Sequence, residues 1–400
     1  MNSSATSARI PELDGLRGVA IALVLLHHYF FQTIDVPPGT PLAYLQAAGR
    51  LGWTGVDLFF VLSGFLIGGI LLDARPSSNY FRVFYTRRFF RIVPVYFVFL
   101  FVAIVLNSIG TIGLTHDLDP IFRDRLPWFI HFLFLQNFWM ALFTNFGALG
   151  PTWSLAVEEQ FYITLPPLVR FLSSRALVFA LAFGIILAPV SRIVLSILAP
   201  SYYLSWFTLM PCRADALLLG VAGAALLRQP ACKAWLIRHR QMLLFLLAPL
   251  AIGLAVLAWR FPDPYGIVML RVGYTWLALF YLGIVLCALL YSQTWFGKCL
   301  RWRWIMWLGS IAYGVYLFHQ LVRAALLALI YSGKVPRWSP VQFLLSLAAL
   351  ALTLVICRLS WLFFEKPLVQ LGHRSGYETA PGPASGAIRG IAAEGSAPAR

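Results

Sequence analysis

Residues 16–28 read LRGVAIALVLLHH, an apolar run that carries Arg17 near one end and His28 at the other. Such a run predicts a membrane-spanning helix, in which an arginine and a histidine are costly enough to mark a functional site. Eleven residues at about 100° each make about three full turns, so both side chains lie on one helix face, about 16 Å apart along the axis. We therefore predict a site with a cation toward the cytoplasm and a base near the bilayer centre.

Similar apolar runs recur along most of the 400 residues. The chain is 60% hydrophobic and 12% charged, and its mean hydropathy is +0.78. A soluble protein carries about twice that charged fraction. Long apolar runs without short alternating strands predict an all-α polytopic integral membrane protein. The formal net charge of +16 fits basic cytoplasmic loops, so we expect no nucleic-acid partner.

Apolar stretches of about 20 residues predict about ten transmembrane helices. They lie at 16–35, 51–72, 90–109, 152–171, 176–198, 204–228, 241–259, 268–292, 309–331 and 340–364. The connections at 75–91, 228–240 and 298–303 are rich in arginine and lysine, which predicts that they lie in the cytoplasm together with the N-terminus.

The aromatic stretch 127–146 contains His131, Gln136 and two asparagines, so we interpret it as a re-entrant or interfacial segment. This leaves 152–171 as the single crossing in that region and places both termini in the cytoplasm. A twelve-span arrangement, in which 127–146 crosses the membrane fully, is the alternative.

Composition also predicts the domain organisation. Residues 1–372 form one transmembrane domain, and residues 373–400, rich in Gly, Ala, Pro and Ser, form a disordered cytoplasmic tail. No internal repeat of the kind found in many secondary transporters is evident. The cysteines form no CxxC pair and no histidine cluster accompanies them, so we expect no metal site: Cys212, Cys232, Cys287, Cys299 and Cys357.

Residues 87–94 read RRFFRIVP and place Arg87, Arg88 and Arg91 within about one helical turn at the cytoplasmic surface. The general bias of cytoplasmic loops toward basic residues explains one or two of them. A cluster built from arginine alone further indicates bidentate binding of phosphate. We predict a phosphorylated cytoplasmic ligand, with lipid headgroups as the alternative.

Several polar residues are predicted in the outer half of the bundle. Asp57 in the second span lies at a depth similar to His28, where a carboxylate would fix the imidazole tautomer; pairing with a structural arginine is the alternative. Tyr316 and His319 share one face of the ninth span. Arg323, like Arg192, is expected to line an external cavity.

Other polar residues have simpler expected roles. Glu158 and Glu159 are adjacent on the fourth span, so at least one should face the bundle interior or a water-filled cavity. We interpret Arg213 and Asp215 as members of a mutual or interhelical ion pair. Ser63 is expected at a close-packing site with Gly64, and Glu365 and Lys366 are expected to anchor the tenth span at the interface.

Five motifs occur in one order along the chain. They are ELDGLRG with the Arg-x10-His spacing, GVDLFFVLSG, RRFFRIVP, WSLAVEEQFY and FEKP. Together they resemble the membrane acyltransferase-3 family, the O-acyltransferases that modify envelope polysaccharides, lipopolysaccharide, exported sugars and some antibiotics. The resemblance covers residues 9–372 and implies a ten-helix fold in the bacterial inner membrane. It also implies that Arg17 and His28 are essential, and that the Arg-x-x-Arg motif of the family corresponds to Arg88 and Arg91.

The resemblance implies transfer of an acyl group, most often acetyl, from cytoplasmic acyl-CoA to a hydroxyl of an exported acceptor. The phosphates of acyl-CoA would bind Arg88, Arg91 and Arg87, and its pantetheine arm would pass Arg17. His28 would then act as general base or as acyl carrier, two roles that the sequence does not separate. Asp57 or Glu159 would orient it, and the residues expected to bind the acceptor are Glu158, Tyr316, His319 and Arg323.

The acceptor would be a glycan, a lipid-linked sugar or a small exported molecule, and the sequence decides neither its identity nor the oligomeric state. Some family members carry an extracellular hydrolase-like domain that is not found in this sequence. We therefore expect any relay of the acyl group to end in this domain or in a separate partner. The alternative function is a transporter or export partner that moves a glycan or lipid-linked intermediate without acyl chemistry.

Overall fold

The computed structural model describes residues 10–31, 40, 46, 49–111, 127–143, 147–261, 263–330 and 340–378, to which every structural statement refers. Its helices are α1 (Pro11–Leu26), α2 (Gly55–Ala74), α3 (Tyr80–Thr111), α4 (Trp128–Phe132), α5 (Gln136–Phe143), α6 (Thr152–Phe171), α7 (Ser174–Leu198), α8 (Tyr203–Thr208), α9 (Met210–Leu226), α10 (Pro230–Arg238), α11 (Arg240–Arg260), α12 (Tyr274–Leu290), α13 (Trp295–Leu300), α14 (Arg303–Ser310), α15 (Ala312–Ile330), α16 (Pro340–Ser360) and α17 (Lys366–Gly372). Short 3₁₀ turns (Arg50–Thr54 and Pro200–Tyr202) and π-helical turns (His27–Phe31, Met269–Gly273 and Trp361–Glu365) extend several of them. These ranges contain no strand, because a chain in lipid must satisfy its backbone within each helix.

The predicted all-α polytopic membrane fold is confirmed. Nine helical segments in the described ranges are long and apolar enough to cross a membrane, with mean hydropathies of 1.2 to 2.6. Helix α6 covers the remaining predicted span, the fourth at 152–171, and has 20 residues, but it is more polar than the nine. The side of the membrane on which the termini lie stays a prediction.

The described part of the stretch 127–146 forms two short helices, α4 and α5. Phe134 lies between them with a φ of 54°, a left-handed conformation that turns the chain. Helices of five and eight residues are too short to span a bilayer, so this stretch is not one continuous crossing. Whether it is re-entrant or interfacial stays a prediction, and residues 144–146 lie outside the described ranges.

Helices α2 and α9 approach each other closely. A Cβ atom on Gly64 would overlap the main chain of Leu217, and one on Gly220 would overlap the main chain of Val61. Small residues allow membrane helices to approach in this way. The predicted close-packing site at Gly64 is therefore confirmed.

Burial separates a central set of helices from a peripheral set. Most residues of α2 are buried, whereas on α11 Leu247 and Leu254 alone are buried among the described residues. Large apolar side chains such as Phe245 and Trp259 are exposed on α11, as expected for a helix that faces lipid. Helix α1 is among the central helices, and at Gly18 and Gly309 it approaches α14 closely.

The start of the predicted tail contacts the loop between α2 and α3. The side chain of Asn79 donates to the carbonyl oxygen of Gly376 over 3.0 Å, and the hydroxyl of Ser78 donates to Glu378 over 2.6 Å. Residues 373–378 are thus held against the helical domain, which differs from the predicted disorder. The rest of the predicted tail, 379–400, lies outside the described ranges.

Candidate active site

Two imidazoles from different helices meet at the end of α1. Nδ1 of His28 lies 3.1 Å from Nε2 of His319 on α15, and the ring centroids are 5.0 Å apart. Nδ1 of His319 in turn lies 2.7 Å from the carbonyl oxygen of Tyr316. We call His28 and His319 the histidine pair. The sequence placed both in the site but did not predict their contact.

These contacts determine the tautomers of the histidine pair when both rings are neutral. A carbonyl oxygen can only accept, so Nδ1 of His319 carries a proton and its Nε2 presents a lone pair. Nδ1 of His28 must then donate to that lone pair. Nε2 of His28 is left unprotonated, which is the state required of a general base or of a nucleophile.

A π-helical turn positions the histidine pair. Helix α1 changes from α-helical to π-helical over His27–Phe31, and such turns are frequent at functional sites. The ring of His27 lies edge-on to that of His28, with 5.1 Å between the centroids, and its buried Nδ1 has no hydrogen-bond partner among the described residues. The local change in helix geometry therefore presents one of two adjacent histidines to α15.

A second polar group lies about three helical turns away, toward the start of α1. Arg17 forms an ion pair with Asp14 over 3.3 Å and lies within electrostatic range of Arg91. The guanidinium of Arg88 lies over the ring of Tyr162, 5.5 Å from its centroid. Arg88 also lies within electrostatic range of Arg17, and we call Arg17, Arg88 and Arg91 the inner arginine cluster.

Two members of the inner arginine cluster keep their hydrogen-bonding capacity. Within the described ranges, Arg88 and Arg91 form no ion pair and donate no hydrogen bond to another residue. Both are partly buried, where an unpaired guanidinium is costly. A planar guanidinium with free donors is suited to phosphate or carboxylate, so these two side chains can bind an anion.

The structure separates Arg87 from this cluster. Its guanidinium donates to the carbonyl oxygen of Ser375 over 2.8 Å and lies 5.0 Å from the ring centroid of Tyr377. The prediction that Arg87 binds a phosphorylated ligand is therefore not supported by its contacts. Adjacent residues on a helix point in directions about 100° apart, which is why Arg87 and Arg88 have different partners.

The cationic surface extends to the end of the described chain. His373 is exposed, and partial desolvation together with the charges of Arg87, Arg91 and Arg88 lowers the pKa of its imidazole. The neutral form of His373 is therefore favoured beside the cluster. His373 thus lies within electrostatic range of three arginines at this end of the bundle.

The two adjacent glutamates lie with the inner arginine cluster rather than with the histidine pair. The hydroxyl of Tyr162 donates to Glu158 over 3.1 Å. Glu159 lies within electrostatic range of Arg88, and its buried Oε1 has no hydrogen-bond partner in the described part of the chain. Glu159 is thus not placed to orient His28, and Glu158 does not lie among the residues around the histidine pair.

A series of polar side chains connects the two groups. Ser154, Glu158 and Tyr162 follow one another at intervals of four and share one face of α6. The hydroxyl of Ser154 lies 2.6 Å from that of Tyr316, whose ring centroid is 5.9 Å from that of His319. We call this series the polar path. It leads through the bundle from the inner arginine cluster to the histidine pair.

Ser154 and Tyr162 were not among the predicted site residues. The i, i+4 spacing with Glu158 is visible in the sequence and could have identified them. Nothing in the sequence indicates that this face of α6 meets Tyr316 of α15.

Arg323 and Glu365 lie at opposite ends of the polar path. Arg323 is within electrostatic range of both members of the histidine pair and donates to Gln320 over 3.5 Å. Glu365 was expected to anchor a helix end at the membrane surface, but it is buried, accepts from Ser360 over 2.9 Å and lies within electrostatic range of Arg91.

Asp57 has a different partner from the one predicted. Its Oδ1 accepts from Arg213 over 2.6 Å, and both side chains are buried. The guanidinium of Arg213 also lies 3.8 Å from the ring centroid of Tyr274. The prediction that Asp57 fixes the tautomer of His28 is therefore wrong, and His319 occupies that place.

A second buried ion pair lies beside the first. Arg192 donates to Asp215 over 2.9 Å, and Thr275 donates to the same carboxylate over 2.7 Å. Arg192 is fully buried, so the prediction that it lines an external cavity is wrong. The predicted interhelical ion pairing of Arg213 and Asp215 is confirmed, with partners on α2 and α7. We call these residues the ion-pair core: Asp57, Arg213, Arg192 and Asp215.

No group of three or more His, Cys, Asp or Glu side chains in the described ranges is arranged to hold a metal ion. The ionisable groups along the polar path and at its two ends are imidazole, guanidinium and carboxylate. These groups can bind an anion at one end and accept a proton at the other.

The sequence is similar to several curated bacterial proteins that are named as O-acetyltransferases. The chain is 29% identical to a Bacillus subtilis protein with the provisional name of peptidoglycan O-acetyltransferase, over 92% of this chain and 56% of that protein. It is 27% identical to the peptidoglycan O-acetyltransferase OatA of Listeria monocytogenes, over 91% of this chain and 56% of the relative. A provisionally named Staphylococcus aureus O-acetyltransferase is 26% identical over 91% and 58% of the two chains.

The chain spans a little over half the length of these curated relatives. No solved structure gives a significant match. The family model for acyltransferase family 3, described as an acyltransferase domain, matches residues 10–361, nearly the whole transmembrane bundle. This chain belongs to acyltransferase family 3.

Proposed function

We propose that this protein transfers an acetyl group from acetyl-CoA, bound from the cytoplasm, to a hydroxyl of an envelope glycan on the other side of the bacterial inner membrane. The observation that carries the proposal is the arrangement of the polar path. Unpaired guanidinium groups lie at one end, and an imidazole with a free Nε2 lone pair lies at the other. Membership of an acyltransferase family supports the reaction type.

The donor end is assigned to the inner arginine cluster. Coenzyme A carries phosphates at one end and the reactive thioester at the end of a long flexible arm. Arg88 and Arg91 would bind the phosphates by charge-assisted hydrogen bonds, since no described residue occupies their donors. The arm would extend past Arg17 along the polar path and bring the thioester to His28. The basic loops around the cluster favour its cytoplasmic location.

The acceptor end is assigned to the histidine pair. As the glycan oxygen attacks the thioester carbonyl carbon, Nε2 of His28 takes the hydroxyl proton. The carbon–sulfur bond then breaks, and the departing thiolate takes the proton from the His28 imidazolium, which leaves an ester and free coenzyme A. His319 would hold His28 in the required tautomer throughout. A positioned base of this kind contributes roughly 10²–10⁴-fold to the rate.

The same lone pair would serve if His28 first accepted the acetyl group itself. In that case Nε2 attacks the thioester carbon, the carbon–sulfur bond breaks to release coenzyme A, and an acetyl-imidazole forms before the glycan attacks, so labelled acetyl is trapped on the protein when acceptor is withheld. Arg323, Tyr316 and the surface beyond the histidine pair are assigned to acceptor binding. The glycan class follows the relatives, whose names specify peptidoglycan.

Calorimetric titration of the purified protein in nanodiscs with acetyl-CoA tests the donor site. The double variant Arg88→Ala/Arg91→Ala should bind about 100-fold more weakly, because each lost hydrogen bond to a charged group costs about 1.5 kcal/mol. Arg82→Ala, which removes an exposed arginine of the same helix, should change affinity less than twofold.

Transfer is then followed with acetyl-labelled acetyl-CoA and peptidoglycan fragments. Label on the glycan together with released coenzyme A supports the enzyme. If the folded wild-type protein does not bind acetyl-CoA, or leaves the bound thioester intact with glycan present, the acyltransferase proposal is wrong. The non-catalytic export function would then account better for the buried charges.

A further inference from the structure

Tyr29, the residue after His28, forms a contact with α15 that has no role in the proposed reaction steps. Tyr29 is fully buried, and its phenol donates to the main-chain carbonyl oxygen of His319 over 2.8 Å. Its oxygen also lies 2.8 Å from Oγ1 of Thr353 on α16. The phenol thus joins three helices at one point.

Two consecutive residues of α1 therefore contact the same residue of α15 in different ways. His28 contacts the ring of His319, whereas Tyr29 contacts its main chain. The first contact sets the tautomer, and the second sets how far the backbone of α15 lies from α1. The distance of 3.1 Å between the two imidazoles depends on both.

The hydrogen bond from Tyr29 is not needed to satisfy the main chain of α15. The carbonyl oxygen of His319 belongs to the continuous helix α15, where it already accepts a hydrogen bond from a residue one turn later. The phenol hydrogen bond is additional, and it is kept in a fully buried position. Thr353, also fully buried, donates either to the phenol or to the carbonyl oxygen of Ala349 at 2.8 Å.

We infer that Tyr29 and Thr353 are positioning residues that hold the histidine pair in register for acyl transfer. The inference rests on the proposed function of His28. Arg323 faces both the histidine pair and Tyr29, and Cys357 faces Tyr29 from α16, but neither forms a hydrogen bond with the phenol. Displacement of a catalytic group by about 1 Å costs up to about 100-fold in rate, so a loosened pair lowers turnover.

Tyr29→Phe tests the inference because it removes one hydroxyl and keeps the ring. With acetyl-labelled acetyl-CoA and peptidoglycan fragments, we expect kcat to fall at least tenfold while KM for acetyl-CoA stays within twofold. Tyr80→Phe is the matched control. Its phenol is equally buried and donates to the carbonyl oxygen of Pro166 over 3.1 Å, away from the histidine pair, so its kcat should be unchanged.

Thr353 provides a second test, which decides the matter if Tyr29→Phe does not fold. Thr353→Val removes the hydroxyl at constant shape and should lower kcat, and Thr353→Ser should restore it. The inference is overturned if folded Tyr29→Phe keeps a kcat within twofold of wild type. If Tyr29→Phe is unfolded, the same result for Thr353→Val overturns it. An equal loss in Tyr80→Phe also overturns it. If the wild-type protein itself transfers no label, the proposed acyl transfer is wrong. That result is distinct from failure of the inference about Tyr29, in which wild type is active and the variant is equally active.

Discussion

The ion-pair core and the polar path both place charged side chains inside the bundle, but they differ in how those charges are satisfied. In the ion-pair core, Asp57 and Arg213 lie 2.6 Å apart, and Arg192 and Asp215 lie 2.9 Å apart. In the inner arginine cluster, where the polar path begins, Arg88 and Arg91 have no ion-pair partner among the described residues. Charges that neutralise one another hold helices together, whereas charges left unpaired within a protein are available to a ligand.

This difference assigns a structural role to Asp57, although it lies in a family motif. The Asp57 carboxylate accepts from Arg213, whose guanidinium lies against the ring of Tyr274, and no contact among the described residues joins it to His28. His28 obtains its orientation from His319 instead. The two regions should therefore respond differently to substitution, one through activity and the other through stability.

The largest expected effect is at the histidine pair. His28→Ala should lower kcat at least 100-fold while the protein remains folded, since it removes the base but no ion pair. His27→Ala is the control, because His27 is the adjacent residue and its Nδ1 has no partner in the described part of the chain. Its kcat should stay within about threefold of wild type. Equal losses in both variants would contradict the assignment of His28.

The second-largest expected effect is a loss of folding stability on substitution in the ion-pair core. Arg213→Met should destabilise the protein by about 3–5 kcal/mol, because it leaves the Asp57 carboxylate buried without its partner. The double variant Asp57→Leu/Arg213→Met removes both charges and should recover most of that loss. Thermal unfolding in detergent measures both. A normally stable Arg213→Met protein that has lost turnover would move the ion-pair core into the active site.

The smallest effect concerns a buried group that belongs to neither region. His131 on α4 is buried, neither ring nitrogen has a partner in the described ranges, and burial lowers its pKa to about 4. In the unfolded chain its pKa is about 6.5, so the unfolded state binds more protons between these values. Stability from the neutral imidazole is therefore present above pH 6.5 and is lost as the pH falls toward 4.

This linkage predicts a loss of about 1 kcal/mol between pH 7.5 and pH 5.5. His131→Phe should remove that pH dependence, as measured by thermal unfolding at both values, and should leave kcat unchanged. His239→Phe, at an exposed histidine, is the control and should keep the wild-type pH dependence. A pH dependence that persists in His131→Phe would assign the acid sensitivity to other groups.

Much of the fold was predictable from the sequence because the membrane imposes simple rules. Apolar runs of about 20 residues must become helices, so the ends of most spans agree with the structure to within a few residues. The largest difference is at α3, which begins ten residues earlier than the predicted span at 90–109 because the helix continues through the basic loop. A hydropathy pattern detects only the part of a helix that lies in lipid.

The candidate site was predictable in part. The spacing along α1 placed Arg17 and His28 on one face, and the motif around α3 identified Arg88 and Arg91 as candidates for anion binding, a role that stays a prediction. Periodicity did not separate Arg87 from these two, because the C-terminal segment that binds Arg87 is distant in sequence. It also did not indicate Tyr29 and Thr353, which are 324 residues apart and resemble ordinary helix-packing residues.

By itself, the sequence determined that this is a helical membrane protein and which residues share a face of each helix. It did so because helical periodicity and the cost of exposing polar backbone to lipid act locally. Only the tertiary structure decided which faces meet, and hence that His28 contacts His319 and that Asp57 contacts Arg213. A hydrogen bond requires atoms within about 3 Å of each other, and that distance between helices is set by the packing of the whole bundle.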